Sequence, residues 1–131
     1  MLNEKKTIAI VDDDVDYLSI LRMQVERVGF NVIYAESQKE GEKLLETTKP
    51  DLAIFDLMME IHDSGFILSY KLKKKHPEVP IIIATAVTAS TGIEFGIETQ
   101  EDRSWIKADK YLEKGLRPDQ LHREINKLLK I

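Results

Sequence analysis

The chain has 131 residues, 43% hydrophobic and 32% charged, and its 19 basic and 23 acidic side chains give a formal charge of −4. That length suits one compact domain able to bury most of its unfolded surface, and the composition is that of a folded globular protein rather than a disordered one. An acidic balance gives no footing for direct nucleic-acid binding, and the absence of cysteine excludes disulfides, thiolate metal sites and thiol catalysis. No apolar run approaches the ~20 residues that cross a bilayer, and Met1 to Lys6 lacks the apolar core of a signal peptide. No membrane partner is expected, and a reducing cytoplasm is the expected compartment.

Along the chain, short apolar runs alternate with amphipathic segments. Ile8-Ala9-Ile10-Val11 is stopped by Asp12-Asp13-Asp14, after which Leu18, Leu21, Val25 and Val28 recur at helical spacing until Gly29. Val32 to Ala35 is the second run. Ser37 and Glu40 then form a capping box, followed by an inward face of Gly41, Leu44, Leu45 and Thr48. Leu52-Ala53-Ile54-Phe55 ends at Asp56, and a helix is predicted from about Ser64 to Lys75, closed by Pro77 and Pro80. Its basic run, Lys71 and Lys73 to Lys75, reads as a solvated helix end.

Ile81-Ile82-Ile83-Ala84 ends at Thr85. Between Val87 and Ala108 no clean period appears, although Ile93, Phe95, Ile97, Trp105 and Ile106 need cover, so a short or displaced helix is expected there. A fifth strand near Lys110 to Leu112 follows. A last helix then starts at Pro118, with Leu121, Ile125, Leu128 and Leu129 on one face. Continuous apolar runs alternating with helices imply an α/β fold with a parallel sheet covered on both sides.

The polar residues collect where the strands stop. Asp12, Asp13 and Asp14 follow the first strand, Asp56 the third, Thr85 the fourth and Lys114 the fifth. In open parallel sheets ligands bind beyond these carboxyl ends. Clustered carboxylates repel, so at least one should have a raised pKa unless a cation is present. A hard divalent ion, held by a few carboxylates and completed by water and phosphate, suits such a cluster, and a carboxylate beside it can act as a nucleophile toward phosphorus. A hydroxyl and an ammonium would then bind phosphoryl oxygens. His62, His76 and His122 show no ligand spacing and read as surface or loop residues.

This ordered set resembles the receiver domains of two-component response regulators. The resemblance rests on Ile10-Val11-Asp12-Asp13-Asp14, Phe55-Asp56-Leu57-Met58-Met59, Ile83-Ala84-Thr85-Ala86 and Tyr111-Leu112-Glu113-Lys114, which together span the chain. It implies a single receiver domain over residues 1–131, with a flavodoxin-like (βα)5 three-layer fold and strand order 2-1-3-4-5. It implies that Asp56 accepts a phosphoryl group, and that Asp12, Asp13, Asp56 and the backbone carbonyl of Met58 hold Mg²⁺. Thr85 and Lys114 take the phosphoryl-binding and switch roles, Ala86 leaves the acceptor accessible, and Tyr111 is the switch aromatic. The implied partners are a histidine kinase or phosphotransfer protein and an unknown downstream protein target. The implied state is a monomer or a phosphorylation-dependent dimer that switches its protein-binding surface and is not an enzyme acting on other substrates.

Three departures stand against the family pattern. Glu60 replaces the proline expected four residues after the acceptor, and Gly65 comes one residue late. Gly115 follows Lys114 where proline would favour a cis bond. The stretch from Thr85 to Lys114 is longer than usual, which makes the family's fourth-helix region atypical. Two rival readings differ in class. A haloacid-dehalogenase-like phosphatase would use Asp12 as nucleophile and Asp14 as acid, but only Asp119 and Glu124 remain to serve its last acidic motif. A receiver-like interaction module would fold identically without being phosphorylated. A flavodoxin-type cofactor carrier lacks a glycine-rich phosphate loop.

Overall fold

The computed structural model describes residues 5–60, 63–85 and 108–131. Its elements in chain order are β1 (Thr7–Val11), α1 (Val15–Arg27), β2 (Asn31–Ala35), α2 (Gln38–Thr47), β3 (Leu52–Asp56), α3 (Ser64–Lys75), β4 (Ile81–Thr85), β5 (Lys110–Glu113) and α4 (Pro118–Leu129). The strands form one parallel sheet in the order β2-β1-β3-β4-β5. Ala86, His62, Trp105 and the helix expected between Val87 and Ala108 lie outside the described residues, apart from Ala108 itself. Among the described residues no helix is long and apolar enough to cross a membrane.

Alternation along the inner strands divides the core in two, because successive side chains in a strand point to opposite faces. Ile8 and Ile10 of β1, Leu52 and Ile54 of β3, and Ile82 of β4 pack with Leu18, Leu21 and Val25 of α1 and Leu121 and Ile125 of α4. The intervening Ala9, Val11, Ala53, Phe55, Ile81 and Ile83 pack with Leu45 of α2 and Leu68 and Leu72 of α3. Burial on both faces is why β1, β3 and β4 read as unbroken apolar runs. The edge strands β2 and β5 are partly exposed.

Helix starts follow the capping residues. Asp14 caps α1, its side chain accepting from Tyr17 N at 3.1 Å, and Pro118 opens α4. Helix α1 ends at Arg27, and Gly29 takes a positive φ of 106°, the left-handed conformation that turns the chain out of a helix. Val28, the last residue of the helical spacing, is the C-cap of α1 and 41% exposed, while Phe30 just beyond the turn is buried. The basic run at the end of α3 is largely engaged rather than free. Lys71 pairs with Glu42 at 3.0 Å, Lys73 with Asp109 at 2.9 Å, and Lys75 donates to the Glu46 carbonyl at 2.9 Å. Asp109 also accepts from Ile81 N at 2.8 Å, pinning the start of β5 against β4.

Candidate functional site

The parallel register brings the strand ends to one edge of the sheet. Asp56 closes β3 opposite Ala84, so Thr85 at the end of β4 lies one residue further along. Lys114 N donates to Thr85 O at 2.8 Å, fixing the chain just after β5 beside the end of β4. The first residues past β1, Asp12 and Asp13, sit next to β3 because β1 and β3 are hydrogen-bonded neighbours.

Asp12, Asp13 and Asp56 each place a carboxylate oxygen within 4.8 Å of the others, Asp12 and Asp56 buried and Asp13 exposed. Asp12 Oδ1 accepts from Asp14 N at 2.9 Å, which fixes its side chain. The Lys114 ammonium reaches between two of the acids, 2.9 Å from Asp12 and 3.1 Å from Asp56. It also lies 4.8 Å from the centroid of the Tyr17 ring.

The charges do not balance. Three carboxylates face one ammonium, which leaves a deficit of two positive charges in a partly buried site. Burial first, and the Asp12 carboxylate second, push the Asp56 carboxyl up to about 7, against the opposing pull of Lys114. Burial alone would lower the Lys114 pKa, but Asp12 and Asp56 outweigh it and hold the ammonium above its ordinary value. One ammonium is shared by two acids: it stays charged, yet its pull on Asp56 does not overcome burial and the Asp12 charge. Repulsion among the acids contributes to the Asp56 shift, but loss of water contributes more. A divalent cation would supply the missing charge, and oxygen donors are what a hard cation such as Mg²⁺ takes.

The loop after Asp56 is tied on both sides. Leu57 N donates to Ala84 O at 3.2 Å, and Leu57 O accepts from Gly65 N at 2.8 Å. Met58, 43% exposed, follows at once in the loop. Tyr111 on β5 is 37% exposed and meets Phe66 of α3 edge-on, with ring centroids 6.2 Å apart. Among the described residues no peptide bond is cis, the Lys114-Gly115 bond included.

The family model for the response regulator receiver domain matches residues 8–126. The chain belongs to that family. Among solved structures, this receiver is similar to a CheY-like response regulator receiver protein from Methanospirillum hungatei (26% identity, TM-score 0.80, covering 97% of this chain and 95% of that one). A second match is a response regulator from Chloroflexus aurantiacus (25% identity, TM-score 0.81, covering 98% and 100%). Similarity extends to the alkaline phosphatase synthesis transcriptional regulatory protein PhoP of Bacillus subtilis, 30% identical over 125 residues that cover 95% of this chain and 49% of PhoP. The receiver thus spans about half the length of that relative.

Sheet order, flavodoxin-like architecture and family agree with the sequence reading, and a phosphoacceptor signalling role is consistent with the family. The phosphatase reading is not favoured: Asp14, its required acid, is engaged as the cap of α1. Two residues of the site region escaped the sequence reading. Tyr17 lies in the first turn of α1 and meets the site only through Lys114, which follows β5, so neither segment announces the contact. Glu60 was noted only as a missing proline, yet its carboxylate accepts from Gln38 N at 2.7 Å and Lys39 N at 3.2 Å, a contact no local pattern announces.

Proposed function

We propose that this receiver accepts a phosphoryl group on Asp56 and uses the added charge to switch a protein-binding surface. The observation that carries the reading is the meeting of Asp12, Asp13 and Asp56 within 4.8 Å, with Lys114 bridging two of them. Asp12, Asp13, Asp56 and the Met58 carbonyl are the groups that would hold Mg²⁺, which when bound offsets negative charge on the acids and on phosphoryl oxygens.

The residues of the chain supply the rest. An Asp56 carboxylate oxygen attacks phosphorus; the new O–P bond forms as the donor's P–N bond, or P–O bond in acetyl phosphate, breaks and the leaving group keeps the electron pair. Because burial and the Asp12 charge push the Asp56 carboxyl up to about 7, neutralising the deficit also favours the ionised, nucleophilic form. Lys114, already in contact with Asp56, is placed to follow the charge onto the phosphoryl oxygens, and Thr85 supplies a hydroxyl from the neighbouring strand end. The new charge shifts an equilibrium between two surface conformations. Ala86 and Tyr111 are assigned to access and to the switch. The donor is a histidine kinase or phosphotransfer protein, the target another protein, the compartment the cytoplasm, and residues 1–131 act as one receiver, as a monomer or a phosphorylation-dependent dimer.

Amide chemical-shift titration with Mg²⁺, then with beryllofluoride, tests this reading. Shifts should centre on Asp12, Asp13, Asp56 and Lys114 in the wild type and be lost in Asp13→Asn. Wild-type spectra that ignore both additions contradict it and favour an interaction module that is never phosphorylated.

A further inference from the structure

The β3–α3 loop must present a backbone carbonyl to the metal without proline to stiffen it. Its anchors are spaced along the loop. Leu57 is 2% exposed and bonded through both its N–H and its carbonyl, to Ala84 and Gly65. Met59 packs against the core shared by α2 and α3. Glu60, itself exposed, reaches back across 22 residues to the start of α2, where one carboxylate oxygen accepts from Gln38 N at 2.7 Å and the other from Lys39 N at 3.2 Å.

Helix α2 does not depend on Glu60 for its own cap. Ser37 Oγ accepts from Glu40 N at 3.1 Å, and the first intrahelical bond runs from Gly41 N to Ser37 O at 2.8 Å. The N–H groups of the first two helical residues have no partner within a helix and are ordinarily left to water. They point along the positive end of the helix dipole, so a bidentate carboxylate is a favourable guest. The Glu60 contact therefore ties the loop to a rigid element that is already complete.

We propose that Glu60 is a positioning residue for the metal site: by clasping the start of α2 it fixes the peptide units around Met58, so that the Met58 carbonyl is held ready for the cation. The inference rests on the Mg²⁺ site proposed above. Met58 is bracketed by Leu57 on one side and by Met59 and Glu60 on the other, while its own side chain is left 43% exposed. Releasing Glu60 frees the loop on the far side of the ligand and leaves the three carboxylates where they are. Groups that orient metal ligands from behind typically change affinity by 10–100-fold when removed.

The test is an amide chemical-shift titration with Mg²⁺ of the full chain as wild type, Glu60→Ala, Glu60→Gln and Ser37→Ala, with thermal midpoints in EDTA for each. Glu60→Ala should bind Mg²⁺ about tenfold more weakly, at the lower end of that range because two other anchors persist. Glu60→Gln, which keeps one acceptor for Gln38 N, should fall between. Ser37→Ala removes the cap of α2 without touching the loop, so it should lower the thermal midpoint and keep wild-type affinity. Wild-type affinity in Glu60→Ala overturns the inference, as does an equal loss in Ser37→Ala, which would make general weakening of α2 the cause. A wild type that binds no Mg²⁺ overturns the metal site itself, and this inference with it.

Discussion

Gly65 and Asp56 meet backbone to backbone: a Cβ built on Gly65 would lie 2.5 Å from the carbonyl oxygen of Asp56. The first turn of α3 is thus pressed against the end of the strand that carries the acceptor. Alanine in a helix is ordinarily better than glycine by ~1 kcal/mol. A contact this short against backbone instead forces β3 and α3 apart, and overpacking costs ~1–3 kcal/mol. The steric effect wins, so Gly65→Ala should destabilise by ~1–2 kcal/mol in urea unfolding. Gly115, whose added Cβ meets nothing within 4 Å, is the control, and Gly115→Ala should leave stability nearly unchanged.

Removing Lys114 leaves two buried acids without their shared cation. Breaking a fully buried pair costs ~3–5 kcal/mol. The Lys114 side chain keeps 17% exposure, which lowers the expected loss to ~2 kcal/mol for Lys114→Met at pH 8 in EDTA. Mg²⁺ should restore part of it, since the ion supplies the same missing charge. The loss should shrink at pH 5, where Asp56 carries its proton. Urea midpoints with and without Mg²⁺ at the two pH values check all three statements.

Asp56 makes stability depend on pH in an unusual sense for a carboxylate. Its folded pKa of about 7 lies above the ordinary 3.8, so between these values the folded state binds the proton more tightly than the unfolded chain. The stability this provides is complete below pH 4 and is lost as pH rises through 7. Asp56→Asn, which mimics the neutral acid, should therefore exceed the wild type at pH 8 without divalent cations by on the order of 2 kcal/mol. The gap should close steadily on acidification and vanish near pH 4. A gap that is constant across this range contradicts the assignment.

The Tyr17 ring, 4.8 Å from the Lys114 ammonium, gives a finer test. A cation over an aromatic face contributes ~0.5–1 kcal/mol at a partly exposed site. Tyr17→Phe keeps the ring and should match the wild type, whereas Tyr17→Leu should lose about that amount, and the loss should disappear in a Lys114→Met background. A double-mutant cycle in urea measures the coupling.

The inner strands were legible because both of their faces are buried, so β1, β3 and β4 appear as apolar runs that end abruptly in Asp12, Asp56 and Thr85. That a parallel sheet gathers such endings at one edge follows from topology, which is why the sequence alone groups the acids. Val28 continues the helical spacing but is the C-cap of α1, and Gly29 just after it turns the chain, as its position in the sequence suggests. The Lys114–Tyr17 contact depends on β5 lying across the sheet from α1, information that resides in strand order rather than in either segment. The Glu60 clasp joins an exposed loop side chain to main-chain N–H groups, which every residue but proline possesses, so composition and spacing carry no trace of it.

Asp56 is the residue proposed to take the phosphoryl group. Intact-mass measurement after incubation with acetyl phosphate, followed by borohydride trapping and peptide mapping, addresses this assignment directly. One phosphoryl group on Asp56, dependent on Mg²⁺ and absent from Asp56→Asn, is the expected result. A label on Asp12, or labelling of Asp56→Asn equal to that of the wild type, contradicts the account.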